Sequence, residues 1–399
     1  MRKINVFIAI LTVSILLSAN ESFSQLKNKP YVIFISADGF RYDYATKFNA
    51  SNLLRLSSEG VRAKNMIPSY PSVTRPNHYS LVTGLYPGHT GIAGNTFYDP
   101  ESKSMFNKTE KKWFTNQSIW QSASKGGVIT ANINYPDGRT ITKDMDDVYQ
   151  LKKTKEITID DQLDAIQEWL KMPEEKRPHL ITLYFNDTDH QGHIYGPDAV
   201  EVADAAKKVD ENIGRIDALV NSIGLPVDII FVSDHGMISI DKRNIIQIPA
   251  AIDTMTFVVN NQNSLVNIFA KDPSAIMETY KKLLTQEKSE YKVYLNSNLP
   301  QNWHYGGKDD KYKRAGDIIL VAQYPKTFNN KAGKGMHGFD PEKVEEMGAS
   351  FMAWGPSFKK GITIEPFKNV EVYHLISTIL GLPINTNDGK GTLSKEILN

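Results

Sequence analysis

YVIFISADG, residues 31–39, is an unbroken apolar run that stops at an aspartate and a glycine. HLITLYFND, residues 179–187, and VDIIFVSDHG, residues 227–236, repeat the layout. Continuous hydrophobicity of this kind belongs to strands buried on both faces, as in a parallel sheet covered by helices. Between the runs lie helix-like stretches, residues 161–171 and 199–223, the second with apolar residues at helical spacing. The alternation predicts an α/β fold with a doubly wound, largely parallel central sheet flanked by helices. Residues 317–322 and 349–354 read as further strands, and 369–380 as a closing helix. The stretch from about 249 to 333 is richer in polar turns and lysines and reads as an inserted lobe rather than a separate domain.

A chain of 399 residues, 41% of them hydrophobic, can bury a large core. Its 46 basic and 45 acidic side chains leave a net charge of +1, so no global field draws nucleic acid or an anionic membrane. Affinity for phosphate must be local. Arg2 and Lys3 precede an apolar run from Ile4 to about Ala19, and small residues follow at Ser22 and Ser24. This is the layout of an export signal, with cleavage expected near Ser24 and a catalytic domain over 25–399. The run is shorter than the ~20 residues of a spanning helix, so no stable membrane anchor is expected, and the protein is placed in a periplasm or outside the cell. The absence of cysteine excludes disulfides, a lipid-bearing cysteine and sulfur-rich structural zinc sites.

Chemistry gathers where the apolar runs stop. The first ends at Asp38, the second leads to DTDHQGH with Asp189 and His193, and the third ends at Asp234 and His235. Sites in doubly wound sheets form beyond the carboxyl ends of strands, so these residues are expected on one rim. Asp189 and His193 are four apart, which puts both on one face of a helical turn. His337, in GKGMHGFD, adds a further donor. Singly, each is an ordinary cap, turn former or hydrogen-bonded core residue. Jointly they supply oxygen and nitrogen donors for two cations, in the His/Asp combination of catalytic sites. In SYPSVTRPNHYSLVTGLYPGHT, residues 69–90, Pro71 and Pro76 bracket Thr74. Pro76 suits the first turn of a helix through His78 to Val82, which puts Thr74 at or just before a helix N-terminus. That position favours a phosphate or an ionised oxygen, although a capping threonine is the simpler reading of the hydroxyl taken alone.

Taken in order, Asp38, PSVTRPNHYSLVTGLYPGHTGIAGN, YFNDTDHQGHIYGPD, SDHG, LPQNWHY and GMHGFDP resemble the nucleotide pyrophosphatase/phosphodiesterase family of the alkaline phosphatase superfamily. The likeness runs from about Tyr31 to near the C-terminus, where SFMAWGPSF and VEVYHLISTILGLP are also similar. The resemblance implies an alkaline phosphatase-like domain that hydrolyses small-molecule phosphate diesters or nucleotides on two Zn2+ ions. One zinc would be held by Asp38, Thr74, Asp234 and His235, the other by Asp189, His193 and His337. Thr74 would be the nucleophile, forming a phosphothreonine ester that water then cleaves, between ions ~4 Å apart. Asn95, otherwise a turn residue after Gly94, would stabilise a phosphoryl oxygen, and Tyr184, otherwise a core tyrosine, would pack against a nucleobase. The nearest rival is a phosphomonoesterase with the same machinery. Two departures bear on that choice: Arg75 stands where relatives commonly carry phenylalanine, and YPDG at 135–138 replaces a Trp-Pro-Gly. Arg75 either adds a charge near the phosphate, which helps a dianionic monoester, or turns outward into solvent. Arg139 is a further basic candidate, whereas His78 and His89 suit structural hydrogen bonds and His304 has no clear chemical task.

Overall fold

The computed structural model describes residues 30–151, 157–240, 245–328 and 333–399, so the expected export signal lies outside the described residues. Eight strands form the main sheet: β1 (Tyr31–Ala37), β2 (Val61–Ala63), β3 (Thr130–Ile133), β4 (Val148–Gln150), β5 (Leu180–Phe185), β6 (Val227–Val232), β7 (Phe351–Trp354) and β8 (Ile362–Ile364). Their spatial order is β8-β2-β7-β6-β1-β5-β3-β4. β1, β5, β6, β3 and β4 run parallel, whereas β7 is antiparallel to both of its neighbours.

The central strand explains the layering. All seven residues of β1 are buried, and successive side chains enter opposite cores. Val32 and Phe34 join a cluster with residues of α1 (Thr74–Thr83) and of a helix over Glu371–Ile379. Ile33, Ile35 and Ala37 pack on the opposite side, against helices Ile159–Leu170 and Val200–Ile223. Helices on both faces give the expected doubly wound arrangement. Truncating Ile33 or Ile35 to alanine in so closed a sandwich costs about 2–5 kcal/mol.

A second, four-stranded antiparallel sheet is built from Phe257–Asn261, Leu265–Ala270, Ile318–Ala322 and Tyr291–Leu295, in that spatial order. The run at 318–322 therefore belongs to this sheet and not to the main one. A third core lies here, including Val266, Ile268, Leu320, Met336 and Phe339. Gly335–Met336 pairs antiparallel with Ile238–Ser239, linking this region to the chain that leaves β6.

Candidate active site

Register puts the strand ends level. Ala37 of β1 lies beside Phe185 of β5, and Ser36 lies beside Val232 of β6. The chain beyond each strand thus emerges on one rim. The carbonyl of Asp38 accepts the Asp189 N–H at 3.0 Å and also the Thr188 hydroxyl, which clasps the turn after β1 to the helix Asp187–Tyr195. Gly39 sits between them at φ +64°, where a Cβ would lie 3.0 Å from the Asp189 backbone, so only glycine lets the two segments meet. Its N–H donates to Asp234 Oδ1 at 3.1 Å.

Two side-chain clusters result. His235 Nε2 lies 3.4 Å from Thr74 Oγ1, 3.4 Å from Asp38 Oδ1 and 3.1 Å from Asp234 Oδ2. His193 Nε2 lies 3.2 Å from His337 Nε2 and 3.4 Å from Asp189 Oδ1, which is 3.6 Å from His337 Nε2. The His235 and His337 rings stack at 3.6 Å, so the clusters adjoin. The structure brings together all seven side chains that the sequence singled out as metal donors.

Their hydrogen bonds fit a cation in each cluster. Nδ1 of His193 faces Gly335 O at 3.1 Å, that of His235 faces Gly236 O at 2.9 Å, and that of His337 faces Ser72 O at 2.9 Å. A carbonyl can only accept, so Nδ1 carries the hydrogen in each ring and Nε2 turns its lone pair to the cluster. Asp38 Oδ1, Asp189 Oδ1 and Asp234 Oδ2 are buried and accept no hydrogen bond. Orphaned carboxylate oxygens are costly unless a cation meets them. The sets Asp189/His193/His337, Asp38/Asp189/His235 and Asp38/His78/Asp234 each bring their donor atoms within 4.8 Å.

Without a cation, the charges press on one another. Burial, then Asp234 and Asp189, push the Asp38 carboxyl well above the usual range. Burial likewise raises Asp189. Burial opposes ionisation of Asp234 too, but His235 and His78 outweigh it and hold that carboxyl low. Burial alone would lower His235, yet Asp234, Asp38 and Asp189 push it up to about 10. His337 falls well below its ordinary value through burial and the neighbouring His235 and His193.

Thr74 is the first residue of α1 and Val73 occupies the cap position, so the threonine hydroxyl is not spent on capping. Gly84, at φ +68°, ends the helix. The fully buried Asn77 holds the preceding loop: its oxygen accepts the Ser69 N–H at 2.7 Å, and its NH2 reaches Pro71 O at 3.0 Å and Val73 O at 2.9 Å. His78 also stands behind the site, with Nδ1 2.9 Å from Thr74 O and 3.3 Å from Asp234 Oδ2, and Nε2 2.8 Å from Ser36 Oγ. The sequence reading left His78 out of the site. Its spacing, four residues beyond Thr74 on a helix, is the signal that ties it to the Thr74 backbone.

A cleft of about 620 Å³ opens over the clusters and is lined in part by Thr74, Arg75, Asn95, Asp137, Tyr184 and His193. The Tyr184 hydroxyl donates to Asp38 Oδ2 at 2.6 Å, a link to a candidate metal donor that its aromatic reading did not include. Asn95 Oδ1 accepts the Arg75 backbone N–H at 2.8 Å, leaving the Asn95 NH2 for another acceptor. Arg75 lines the cleft with Thr74 instead of turning outward into solvent, and it is paired there. Its Nε pairs with Asp137 Oδ2 at 3.0 Å, Nη1 donates to Asn95 O at 3.2 Å, and its guanidinium lies 5.6 Å from the Phe106 ring centroid. Burial raises the Asp137 carboxyl, while Arg75 and then Lys108 pull against that rise. Arg139 lines the cleft as well, and its Nη2 donates to Leu151 O at 3.3 Å. His89 and His304 belong to a structural network: His89 bridges Asp388 at 2.7 Å and Asp309 at 3.2 Å, and His304 meets Asp309 at 3.0 Å.

Comparison with known proteins decides the family. The type I phosphodiesterase/nucleotide pyrophosphatase profile matches residues 32–340. The chain belongs to this family. Ectonucleotide pyrophosphatase/phosphodiesterase family member 1 of Rattus norvegicus is 31% identical over 398 residues, covering 93% of this chain and 43% of its own. The chain thus spans less than half of that relative's length. A pyrophosphatase/phosphodiesterase of Schizosaccharomyces pombe is 31% identical over 384 residues, covering 90% of this chain and 78% of its own. The solved murine family member 5 superposes with a TM-score of 0.83 at 26% identity, over 92% of this chain and 100% of that one. An inactive threonine-to-alanine variant of the same murine protein, in complex with AMP, superposes at 0.82 with 25% identity over 93% of this chain and 100% of that one. The nucleotide pyrophosphatase/phosphodiesterase relatives are hydrolases of phosphoric ester bonds, and the chain shares their alkaline phosphatase-like fold.

Proposed function

We propose that the chain is an exported, metal-dependent phosphodiesterase/nucleotide pyrophosphatase that works through a phosphothreonine ester on Thr74. The observation that carries this reading is the convergence of three histidine Nε2 lone pairs and three partnerless carboxylate oxygens beside one threonine hydroxyl. One cation would be held by Asp38, Thr74, Asp234 and His235, the other by Asp189, His193 and His337. Imidazole and carboxylate donors without sulfur suit zinc. When bound, the two ions supply the Lewis acidity that lets a threonine hydroxyl ionise near neutral pH and that steadies a leaving oxygen.

The chain's own groups do the rest. Thr74 Oγ1 attacks phosphorus, the bond to the leaving group breaks, and water later cleaves the ester to restore the hydroxyl. The Asn95 NH2 and the Thr74 N–H at the start of α1 face the charge that develops on the phosphoryl oxygens, since the next N–H, of Arg75, is spent on Asn95 Oδ1. Tyr184 offers its ring to a nucleobase while its hydroxyl holds Asp38 in place. The AMP complex of the inactive threonine variant of the murine relative supports both the role of Thr74 and a nucleotide substrate. Export is supported by the N-terminal layout, and among the described residues no helix is long and apolar enough to cross a membrane. Residues from about 249 to 333, which contain the second sheet, are read as an insertion in one catalytic domain.

The test is turnover of a bis-aryl phosphate, a mono-aryl phosphate and dinucleotides by wild type and Thr74→Ala, with metal analysis of both. We expect Thr74→Ala to lose at least about a thousandfold in rate yet still bind AMP, and a chelator to silence the wild type until zinc is restored. Turnover that survives either treatment refutes the mechanism. A strong monoester preference replaces the diesterase reading with the phosphomonoesterase one.

A further inference from the structure

The cleft contains an ion pair that the chemistry above does not use. Arg75 follows the nucleophile directly, and its guanidinium is fixed on three sides: by Asp137 through Nε at 3.0 Å, by the Asn95 carbonyl through Nη1 at 3.2 Å, and by the Phe106 ring. Asp137 is itself nearly buried, its side chain 9% exposed, and both residues line the cavity that holds Thr74. A lone arginine lining the cleft beside a reacting phosphate would reward each extra negative charge on the substrate. Here a carboxylate takes that reward away.

We propose that Asp137 sets the charge preference of the site, cancelling the Arg75 guanidinium so that monoanionic diesters are favoured over dianionic monoesters. This rests on the phosphodiester reading above. Lys108 and Arg139 also line the cleft, as do the carboxylates of Asp38 and Asp189, which are assigned to the proposed cations. Asp137 sits at φ 56°, a left-handed conformation that asparagine adopts as readily as aspartate, so Asp137→Asn removes the charge while keeping the turn and a hydrogen-bond acceptor for Arg75.

The experiment measures the ratio of kcat/KM for a mono-aryl phosphate to that for a bis-aryl phosphate in wild type, Asp137→Asn, Arg75→Gln and the double variant, all with zinc. A ratio cancels any loss common to both substrates, including one from a displaced Asn95. Asp137→Asn is expected to raise the ratio about five- to tenfold, the scale of one unit charge in a partly screened cleft. Arg75→Gln is expected to lower it by a similar factor, and the double variant to return within about twofold of wild type. Single variants that leave the ratio unmoved, or move it in the same direction, overturn the proposal, as does an equal loss on both substrates. If Asp137→Asn does not fold, the Arg75→Gln ratio decides alone. A wild type inactive on the diester overturns the function and this proposal together, whereas an active wild type with unmoved ratios overturns only this proposal.

Discussion

Gly335→Ala tests the second donor cluster without altering a donor. Gly335 presents its carbonyl to His193 Nδ1 at 3.1 Å, and its own segment carries His337 two residues later. A Cβ on Gly335 would lie 2.2 Å from Gly192 O, 2.9 Å from Gly192 C and 3.0 Å from Met237 Sδ. Backbone atoms cannot swing aside, so the 335–336 segment and the helix Asp187–Tyr195 have to part by about 1 Å before the contact becomes tolerable. Overpacking of this kind costs about 1–3 kcal/mol, which a domain stable by about 5–15 kcal/mol survives. The ligand geometry does not survive as well. His193 Nε2 and His337 Nε2 are 3.2 Å apart and ride on the two segments being separated, while metal–donor distances tolerate only about 0.2 Å. The expected result is a folded protein whose affinity for the second cation falls about 10- to 100-fold and whose diester kcat/KM falls about 100-fold. Circular dichroism establishes the fold, competition against a chelating dye measures the affinity, and steady-state rates complete the comparison. A folded variant with full metal content and kcat/KM within about threefold of wild type would show that the spacing of the two segments does not govern the site.

Tyr184→Phe keeps the ring and removes the hydroxyl that donates to Asp38 at 2.6 Å, so metal affinity should drop about tenfold or more while KM for a nucleotide barely moves. Tyr184→Leu should raise that KM as well, and equal effects of the two variants would refute the division of labour. His89 has its pKa raised by its hydrogen bond to Asp388, against partial burial, with Asp309 adding to the rise. A folded pKa above the unfolded one means that the stabilisation is complete below about pH 6.5 and fades as pH climbs through the raised value. Melting curves of His89→Gln and wild type should therefore differ by about 2 kcal/mol at pH 5 and converge toward pH 9. A gap that is the same at both pH values would rule out the ion pair as its origin.

The sheet was legible where burial on both faces made the pattern unmistakable. YVIFISA, LITLYF and VDIIFV could hardly be anything but interior strands, and the polar residue ending each one marked the rim. Strand direction was not legible: FMAW of β7 is as apolar as its parallel neighbours, and nothing in four buried residues records that it runs the other way. For the same reason IILVA at 318–322 gave no sign of joining a different sheet. In the site, donors could be named because they are side chains at chain stops. What orients them could not, since the acceptors for His193, His235 and His337 are carbonyls of Gly335, Gly236 and Ser72, and every residue has a carbonyl. The fate of Arg75 was hidden by distance along the chain, because Asp137 lies 62 residues away and only the fold brings it near.

His337 enters the site two residues ahead of Phe339, whose ring is sunk in the core of the antiparallel sheet, whereas Asp38 and Asp234 hang from β1 and β6. Cations held by these donors would therefore also rivet one sheet to the other, beside the core where Leu265, Ile319 and Val321 already pack with Val32 and Phe34. Stripping ions from such a joint would take away cohesion along with chemistry.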